Sequence, residues 1–397
     1  MRALLEESFR AAVAAADPLK ILAPHLPAPP RGRIFVVAAG KAAASMALAV
    51  EKYFPSEVEG IAITRYGHGL PTRRIRVVEA GHPVPDEAGE AAAREVLKKV
   101  SELGKDDLLL ALLSGGGSSL LSLPAAGVSM AELKALTAQL LKSGAPIQEM
   151  NTVRKHLSAI AGGRLAAASK APVLALIISD VTGDEPTHIA SGPCAPDATT
   201  IEDAKAVLAK YGIDFRGTFS ETPKPGDAIF SKATNNVIAT AHRSLEAAAE
   251  VFRREGIRPV ILGDTITGEA REVGRAMAQL ARRTDGPAAL ISGGECTVTL
   301  QGAIGRGGRC SEFLLSLGIE LEGTANVWAI AADTDGIDGS EDNAGAILTP
   351  DSMKRNPDAK TLLAKHDSYG FFSALGDLVT TGPTRTNVND YRAILIA

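Results

Sequence analysis

The chain has 397 residues, 42 of them basic and 46 acidic, with a formal net charge of -4 and 45% hydrophobic residues. This length exceeds the usual size of a domain with a single hydrophobic core, so we expect two domains. A chain without a basic excess is not expected to bind nucleic acid or an anionic membrane surface, which leaves small molecules as partners. A homo-oligomer is compatible with this composition.

The three cysteines include no CxxC pair and indicate no disulfide framework. The first 18 residues show helical spacing of acids and arginines without the apolar core of a secretion signal. The longest apolar run is much shorter than a membrane span. We therefore expect a cytoplasmic protein that is not integral to a membrane.

Short apolar runs alternate with longer amphipathic stretches, a pattern typical of a parallel sheet flanked by helices. Before residue 217 the pattern predicts strands at 33–38, 60–64, 76–79, 108–113 and 173–179. It predicts helices at 41–53, 86–103, 130–142, 151–169 and 201–211.

Periodicity disappears over residues 217–232, where Pro and Gly accumulate. This segment predicts a domain boundary, with domains 1–230 and 231–397. Beyond it the pattern predicts strands near 237 and at 258–262, 288–292, 327–332 and 393–397, and helices at 241–255, 269–283 and 311–321.

Chemistry-bearing residues follow the predicted strands, and ligands of open α/β sheets bind outside the carboxyl ends of strands. Gly40 and Lys41 follow the first strand. A lysine at a helix start opposes the helix dipole, which favours a nearby anion. The fourth strand leads into Ser114, Gly115, Gly116, Gly117, Ser118 and Ser119. Three glycines can turn successive N–H groups toward one anion, so this loop predicts a cradle for a phosphate or a carboxylate.

The predicted helix 151–169 carries a polar face with Asn151, Arg154 and Lys155. Because this face is rich in positive donors, we expect it to contact a phosphate or a carboxylate. The next predicted strand leads to Asp180 and Asp184, our candidates for magnesium ligands.

The strand at 327–332 leads into DTDGIDG, where Asp335 is our candidate to accept a hydroxyl proton. Glu295 follows the strand at 288–292, and a predicted hairpin then leads to GRGGR. Arg309 at the next helix start could stabilise a transferring phosphoryl group. Asn387, in TTGPTRTNVND, could orient a substrate or a metal-bound water.

Six motifs occur in order: SGGGSSLL, NTVRKHLSAIAGGRLA, SDVTGDEPTHIASGP, SGGECTVTLQG with GRGGR, DTDGIDG, and TGPTRTNVND. On these motifs, which span almost the whole chain, the sequence closely resembles the type II glycerate kinases, the glycerate 2-kinases whose C-terminal region is called the MOFRL domain. Ala161 and Arg385 depart from the pattern, where lysine and glycine are common.

The resemblance implies transfer of the γ-phosphoryl of ATP to D-glycerate with magnesium, giving 2-phosphoglycerate. It implies an α/β fold with a Rossmann-like three-layer N-terminal domain containing a parallel sheet, a smaller α/β C-terminal domain and an active site in the interdomain cleft. The family's functional positions would be Lys41, Glu295, Arg309, Asp335 and Asn387.

Two alternatives remain at this point. Members of this family have been labelled hydroxypyruvate reductases, but the sequence has no GxGxxG opening a helix with an acid about twenty residues on. A non-catalytic sensor of small phosphorylated acids would not need the candidate base and metal ligands.

Overall fold

The computed structural model describes residues 1–300, 305–322 and 324–397. It contains two compact units, Pro18–Ile238 and Met1–Asp17 with Ala239–Ala397, which we call the parallel-sheet unit and the mixed-sheet unit. The sequence predicted a division between residues 230 and 231. Residues 217–232 lie within the parallel-sheet unit, and the first 17 residues lie within the other. Among the described residues, no helix has both the length and the apolar character needed to cross a bilayer.

The first helix, α1 (Arg2–Ala14), belongs to the mixed-sheet unit. The parallel-sheet unit contains α2 (Pro18–Ile21), β1 (Ile34–Ala39), α3 (Ala43–Tyr53), β2 (Glu59–Arg65), β3 (Ile75–Ala80), α4 (Glu87–Ser101), β4 (Leu108–Leu113), α5 (Gly117–Leu120), α6 (Met130–Lys142), α7 (Ile147–His156), α8 (Arg164–Ala168), β5 (Val173–Ile178), α9 (Ile201–Lys210) and β6 (Ala233–Ala239).

The sheet of this unit has the order β3-β2-β1-β4-β5-β6. The pairs from β3 to β5 are parallel, and every residue of β1 and β4 is buried, as their uninterrupted apolar sequences require. Strand order reverses between β1 and β4, which is the topological switch point where such sheets bind ligands. The register pairs Ala39 with Leu113 and Leu113 with Ile177. The loops after β1, β4 and β5 therefore leave the same edge, and the predicted Rossmann-like α/β fold is confirmed.

The mixed-sheet unit adds α10 (Ala241–Arg254), β7 (Arg258–Gly263), β8 (Gly268–Glu269), α11 (Ala270–Arg282), β9 (Ala288–Ser292), β10 (Cys296–Thr297), α12 (Arg309–Glu320), β11 (Val327–Asp333), β12 (Gly345–Leu348), α13 (Ser352–Arg355), α14 (Ala359–Ala364), α15 (Ser368–Leu375), β13 (Leu378–Val379) and β14 (Asp390–Ile396).

Its sheet has the order β13-β12-β11-β14-β9-β7, parallel only between β7 and β9. β10 pairs in parallel with β8. The predicted hairpin before GRGGR extends into residues 301–304, outside the described residues, and stays a prediction. The smaller α/β unit thus differs from the first in strand direction.

Helix α1 joins the mixed-sheet unit because its apolar face completes one of that unit's cores. Leu5, Phe9 and Ala12 are buried with residues of α10 and β14. The ring of Phe9 lies 5.9 Å from that of Tyr391, and the Tyr391 hydroxyl donates to Ser8 Oγ at 2.8 Å. The amphipathic spacing of the first residues predicted helix α1 but could not indicate that it packs against α10 and β14.

The predicted helix 151–169 is wrong as one element. Helix α7 ends at His156 and α8 begins at Arg164. Between them, the hydroxyl of Ser158 accepts hydrogen bonds from the N–H groups of residues 160 and 161, and Gly162 and Gly163 adopt positive φ. A serine that competes for backbone donors, followed by two left-handed glycines, interrupts a helix.

Candidate functional site

The loops after β1 and β4 are joined at the switch point. A Cβ atom on Gly40 (φ +126°) would lie 2.2 Å from Ser114 Oγ, so this close approach requires glycine. The N–H of Lys41 donates to Gly115 O at 2.8 Å, and that of Ala42 donates to Ser114 Oγ at 3.1 Å. Lys41 precedes the N-cap of α3 rather than lying in the predicted first helical turn. The side chain of Lys41 therefore begins beside the glycine loop.

The glycine loop 114–119 supplies backbone donors rather than free hydroxyls. The hydroxyl of Ser114 accepts the Ala42 bond, and that of Ser119 donates to Gly116 O at 3.0 Å. Within the described part of the chain, the loop N–H groups without an acceptor are those of Gly115, Gly116 and Ser118. Such a set can bind an anion, as the sequence predicted.

A chain of polar side chains connects this loop to α7. Ser118 Oγ lies 2.7 Å from Ser191 Oγ, which donates to Asn151 Oδ1 at 3.4 Å. Ser191 and the preceding Ala190 have φ near +59° and +52°, uncommon for residues with a Cβ. Backbone outliers of this kind occur often at functional sites. The structure thus brings Asn151 to the predicted cradle.

Arg154 and Lys155 have different environments. Lys155 Nζ lies 3.2 Å from Asp197 Oδ1 and 3.0 Å from Thr187 Oγ1, with both charged side chains buried. Burial lowers the pKa of Lys155, while Asp197 acts in the opposite direction. Burial works to raise the pKa of Asp197, but the Lys155 ammonium and the hydrogen bonds from Thr199 hold it below its usual value. Lys155 is therefore neutralised by a partner that the sequence analysis missed.

Arg154 donates through Nη2 to Ser118 O at 3.1 Å. Burial lowers the pKa of its guanidinium. Within the described ranges, no carboxylate lies at ion-pair distance from it. Of the three predicted polar residues of α7, Arg154 is the one that adds uncompensated positive charge to the cradle.

Two histidines beside these groups were missed. A Cβ on Gly116 would lie 2.9 Å from the His82 ring and 3.5 Å from Lys41 Cγ, so His82 and Lys41 flank the same glycine. His82 follows β3, so a search of the residues that follow the predicted strands could have found it. His188 has a buried Nδ1 that no described residue bonds, and burial followed by the Lys155 charge lowers its pKa.

Asp180 and Asp184 lie in the loop after β5, and the N–H of Asp184 donates to Val181 O at 3.1 Å. No group of three His, Cys, Asp or Glu side chains suited to a metal occurs among the residues described. Magnesium commonly binds one or two carboxylates together with substrate phosphates and water. The oxygen donors of Asp180 and Asp184 fit that requirement.

Arg309 lies at the centre of an ion-pair cluster in the mixed-sheet unit. Its guanidinium is 2.6 Å from Asp333 Oδ2, 2.8 Å from Asp390 Oδ1 and 3.4 Å from Glu295 Oε1. Burial works to lower the pKa of Arg309, but Asp390, Asp333 and Glu295 raise it well above its usual value. Arg392 is also buried and lies 2.9 Å from Asp390 Oδ2. The structure brings Glu295 and Arg309 together, and adds three charged residues that the sequence analysis did not assign to the site.

The loop after β11 places Asp335 and caps α12. Asp335 is buried, and its Oδ1 accepts from Ile337 N at 2.9 Å. Asp338 accepts hydrogen bonds from Cys310 N at 2.9 Å and from Ser311 N and Oγ at 2.8 and 2.7 Å. Asp338 therefore holds the first turn of α12, which begins with Arg309.

Asn387 lies in the loop that precedes β14. Its Oδ1 accepts from Asn389 N at 3.4 Å, and its side chain is buried. Thr384 N donates to Asp335 O at 3.0 Å, which joins this loop to the one after β11. Asp335 and Asn387 thus belong to two connected loops.

These features are those of an α/β enzyme whose Rossmann-like sheet carries, at its switch point, a glycine loop with backbone N–H groups that have no acceptor among the described residues. A family model described as a domain of unknown function (DUF4147) matches residues 4–220, and one described as MOFRL family matches residues 288–390. The chain is 41% identical to D-glycerate 2-kinase of Thermotoga maritima, over 98% of this chain and 97% of that protein. It belongs to the glycerate 2-kinase family, which confirms the resemblance inferred from the motifs.

Two further comparisons match the whole chain, and one of the two proteins has another name. The crystal structure of glycerate kinase from Thermotoga maritima matches with a TM-score of 0.89 and 38% identity, covering 100% of this chain and 99% of that one. A protein of Agrobacterium vitis, provisionally named hydroxypyruvate reductase, is 52% identical over 100% of this chain and 94% of its own.

Proposed function

We propose that the protein is an ATP-dependent glycerate 2-kinase, which transfers the γ-phosphoryl of ATP to D-glycerate and releases 2-phosphoglycerate and ADP. Relatives with this activity in their names match nearly the full chain. The observation that carries the proposal is the cradle at the switch point, where backbone N–H groups, Lys41 and Arg154 favour anions. A kinase of a hydroxy acid needs such sites for phosphate and for carboxylate.

Phosphoryl transfer depends on positioning and electrostatic stabilisation. In the parallel-sheet unit, the glycine loop, Asn151 and Arg154 bind anionic groups, and Lys41 stabilises charge on the transferring phosphoryl group. Lys155 contributes through its ion pair with Asp197, which keeps α7 in place.

In the mixed-sheet unit, Asp335 accepts the proton of the glycerate hydroxyl, and Asn387 orients the substrate. Glu295 and Arg309 act as a pair. The positive charge of Arg309 is shared among three acids, so its effect on a phosphoryl group depends on how its ion pairs rearrange when substrate binds.

Magnesium is the cation that this reaction implies, and Asp180 and Asp184 would hold it. When bound, it neutralises phosphate charge. The two residues supply carboxylate oxygens and leave further positions to phosphate and water.

A hydroxypyruvate reductase is the second candidate, because the Agrobacterium vitis relative has that name. The loop between β1 and α3 reads GKA and has no GxGxxG, the pattern that a dinucleotide site in this place would require.

A coupled assay with D-glycerate, ATP and Mg²⁺, followed by NMR identification of the phosphoglycerate isomer, tests the kinase proposal. ADP release that depends on both glycerate and a divalent metal, with 2-phosphoglycerate as product, is expected. Oxidation of NADH or NADPH by hydroxypyruvate without ADP release would instead establish the reductase.

We also propose that the protein acts in the cytoplasm. Cys194, Cys296 and Cys310 are free and buried, and free thiols are typical of a reducing compartment.

A further inference from the structure

Arg154 is a partly buried cation in the last turn of α7. A guanidinium has five N–H donors, and the bond to Ser118 O uses one of them. No second acceptor is found for it among residues 1–300, 305–322 and 324–397. The side chain is only partly buried, and none of its nitrogens is a buried atom without a partner, so its remaining N–H donors are open to a ligand that supplies further acceptors.

The two nearest cations on the same segment are satisfied by the protein itself. Lys155 pairs with Asp197. Arg164 donates to four carbonyl oxygens, those of Lys155, Ala161, Ser220 and Glu221. Burial alone accounts for the lowered pKa of Arg154, with no acid opposing it, whereas acids oppose the effect of burial on both neighbours. The missing partner is thus specific to Arg154.

We infer that Arg154 binds the carboxylate of glycerate. This assignment rests on the proposed function and identifies the substrate group that binds between Arg154 and the glycine loop. A carboxylate is planar and has two oxygens that match the guanidinium fork. It carries one negative charge, equal to the one positive charge that Arg154 adds from α7, since Asp197 balances the neighbouring Lys155. The proposed function assigns the phosphate charge of ATP to Lys41 and magnesium, which leaves the carboxylate of glycerate for Arg154.

The neighbouring donors support the same ligand. Arg154 contacts the backbone of Ser118, whose own N–H has no acceptor among the described residues and whose hydroxyl lies 2.7 Å from Ser191 Oγ. A carboxylate bound by the guanidinium could therefore accept a further backbone hydrogen bond from the same loop.

Isothermal titration calorimetry with ADP present tests this inference. The Arg154→Gln variant should bind D-glycerate about 10- to 100-fold more weakly, the range typical of a lost charged hydrogen bond, with its affinity for ADP unchanged. Arg94→Gln removes one charge from an exposed pair on α4 and should leave both affinities unchanged. The wild type should also prefer glycerate to its neutral amide, glyceramide, and Arg154→Gln should lose most of that preference.

Each result decides the matter. Weaker ADP binding with unchanged glycerate binding in Arg154→Gln would assign Arg154 to a phosphate and overturn the inference, as would equal glycerate binding in wild type and variant. Wild type that binds glyceramide as tightly as glycerate would overturn it without reference to how well a variant folds. Glycerate binding that depends on Arg154 without phosphorylation would contradict the proposed function and leave this inference intact.

Discussion

Lys41 and Arg309 are both cations near helix starts, but their surroundings give them different tasks. Lys41 lies beside a glycine loop with backbone donors that have no described acceptor. Arg309 is bound by Asp333, Asp390 and Glu295. Removing the first should affect a ligand, whereas removing the second should also affect the fold.

Lys41→Ala should lower kcat by at least about 100-fold, because a charge-stabilising donor is lost from the transition state. Its melting temperature should remain near that of the wild type. Steady-state kinetics and calorimetry check this, with Lys52→Ala, in the last turn of α3, as a charge-loss control. Nearly full activity in Lys41→Ala would remove Lys41 from the site.

Arg309→Ala should lower both activity and stability. It leaves the buried carboxylates of Asp333 and Asp390 without their shared cation, and breaking a buried ion pair from one side typically costs about 3–5 kcal/mol. Chemical unfolding should show this loss, and Arg309→Lys, which keeps the charge but not the fork, should recover part of it. Unchanged stability in Arg309→Ala would contradict the cluster described above.

Asp197→Asn should destabilise the protein at neutral pH and flatten its acid unfolding. The pKa of Asp197 lies below its usual value of 3.8, so its stabilising contribution is complete above that value and disappears as the pH falls through the native pKa. Removing one partner of the buried pair with Lys155 should cost about 3–5 kcal/mol at pH 7. Urea unfolding from pH 7 to pH 3 measures this, and Asp214→Asn, at an exposed pair, should change little.

At the scale of elements, the glycine loop is shaped by what packs on it. A Cβ on Gly117 would lie 2.5 Å from Ala190 Cβ, on the segment that also carries Ser191. The loop and the left-handed turn at 190–192 therefore fit together only without a side chain at 117.

Gly117→Ala should reduce kcat/KM by about tenfold or more, because the loop must shift away from Ala190 and its N–H groups move with it. Gly67→Ala is the matched control, since Gly67 has positive φ but open space around its Cβ position. The control should lose a little stability and keep its activity. Equal kinetics in both variants would show that the position of this loop does not limit catalysis.

The central strands β1, β4 and β5 of the parallel sheet could be predicted because each is an apolar run that matches its buried position. The predicted strand 108–113 coincides with β4. Lys41, the glycine loop and Asp180 follow β1, β4 and β5, as the sequence predicted. Helix 151–169 failed because Ser158 and two glycines interrupt it through hydrogen bonds and φ angles that apolar periodicity does not register.

The ion pairs could not be predicted, because they join residues far apart in the chain. Asp197 lies 42 residues from Lys155, and Asp390 lies 81 residues from Arg309. Polar residues in an otherwise apolar terminal strand, DYRAILI, were the only local signal for Asp390 and Arg392. Ion pairs of this kind depend on the order of strands in the sheet, and the pattern of apolar residues does not predict that order.

At the scale of the whole molecule, the mixed-sheet unit is built from both ends of the chain. Residues 1–17 fold with residues 239–397, although 221 residues separate the two segments. Arg2 reaches Asp377 at 2.6 Å, and Thr386 Oγ1 donates to Ala16 O at 2.7 Å. We therefore expect a substitution that disrupts the packing of α1 to destabilise elements within residues 239–397.

Phe9→Ala should test this coupling. Phe9 is 2% exposed and packs on Tyr391, so truncation should cost about 3–5 kcal/mol. In hydrogen-exchange mass spectrometry, peptides from α10 and β14 should exchange faster, since their core loses its aromatic partner, while peptides from β4 should change much less. Leu141→Ala, at an exposed site on α6, should leave all three unchanged. Faster exchange in β4 to the same extent as in β14 would instead mean that the two units unfold together.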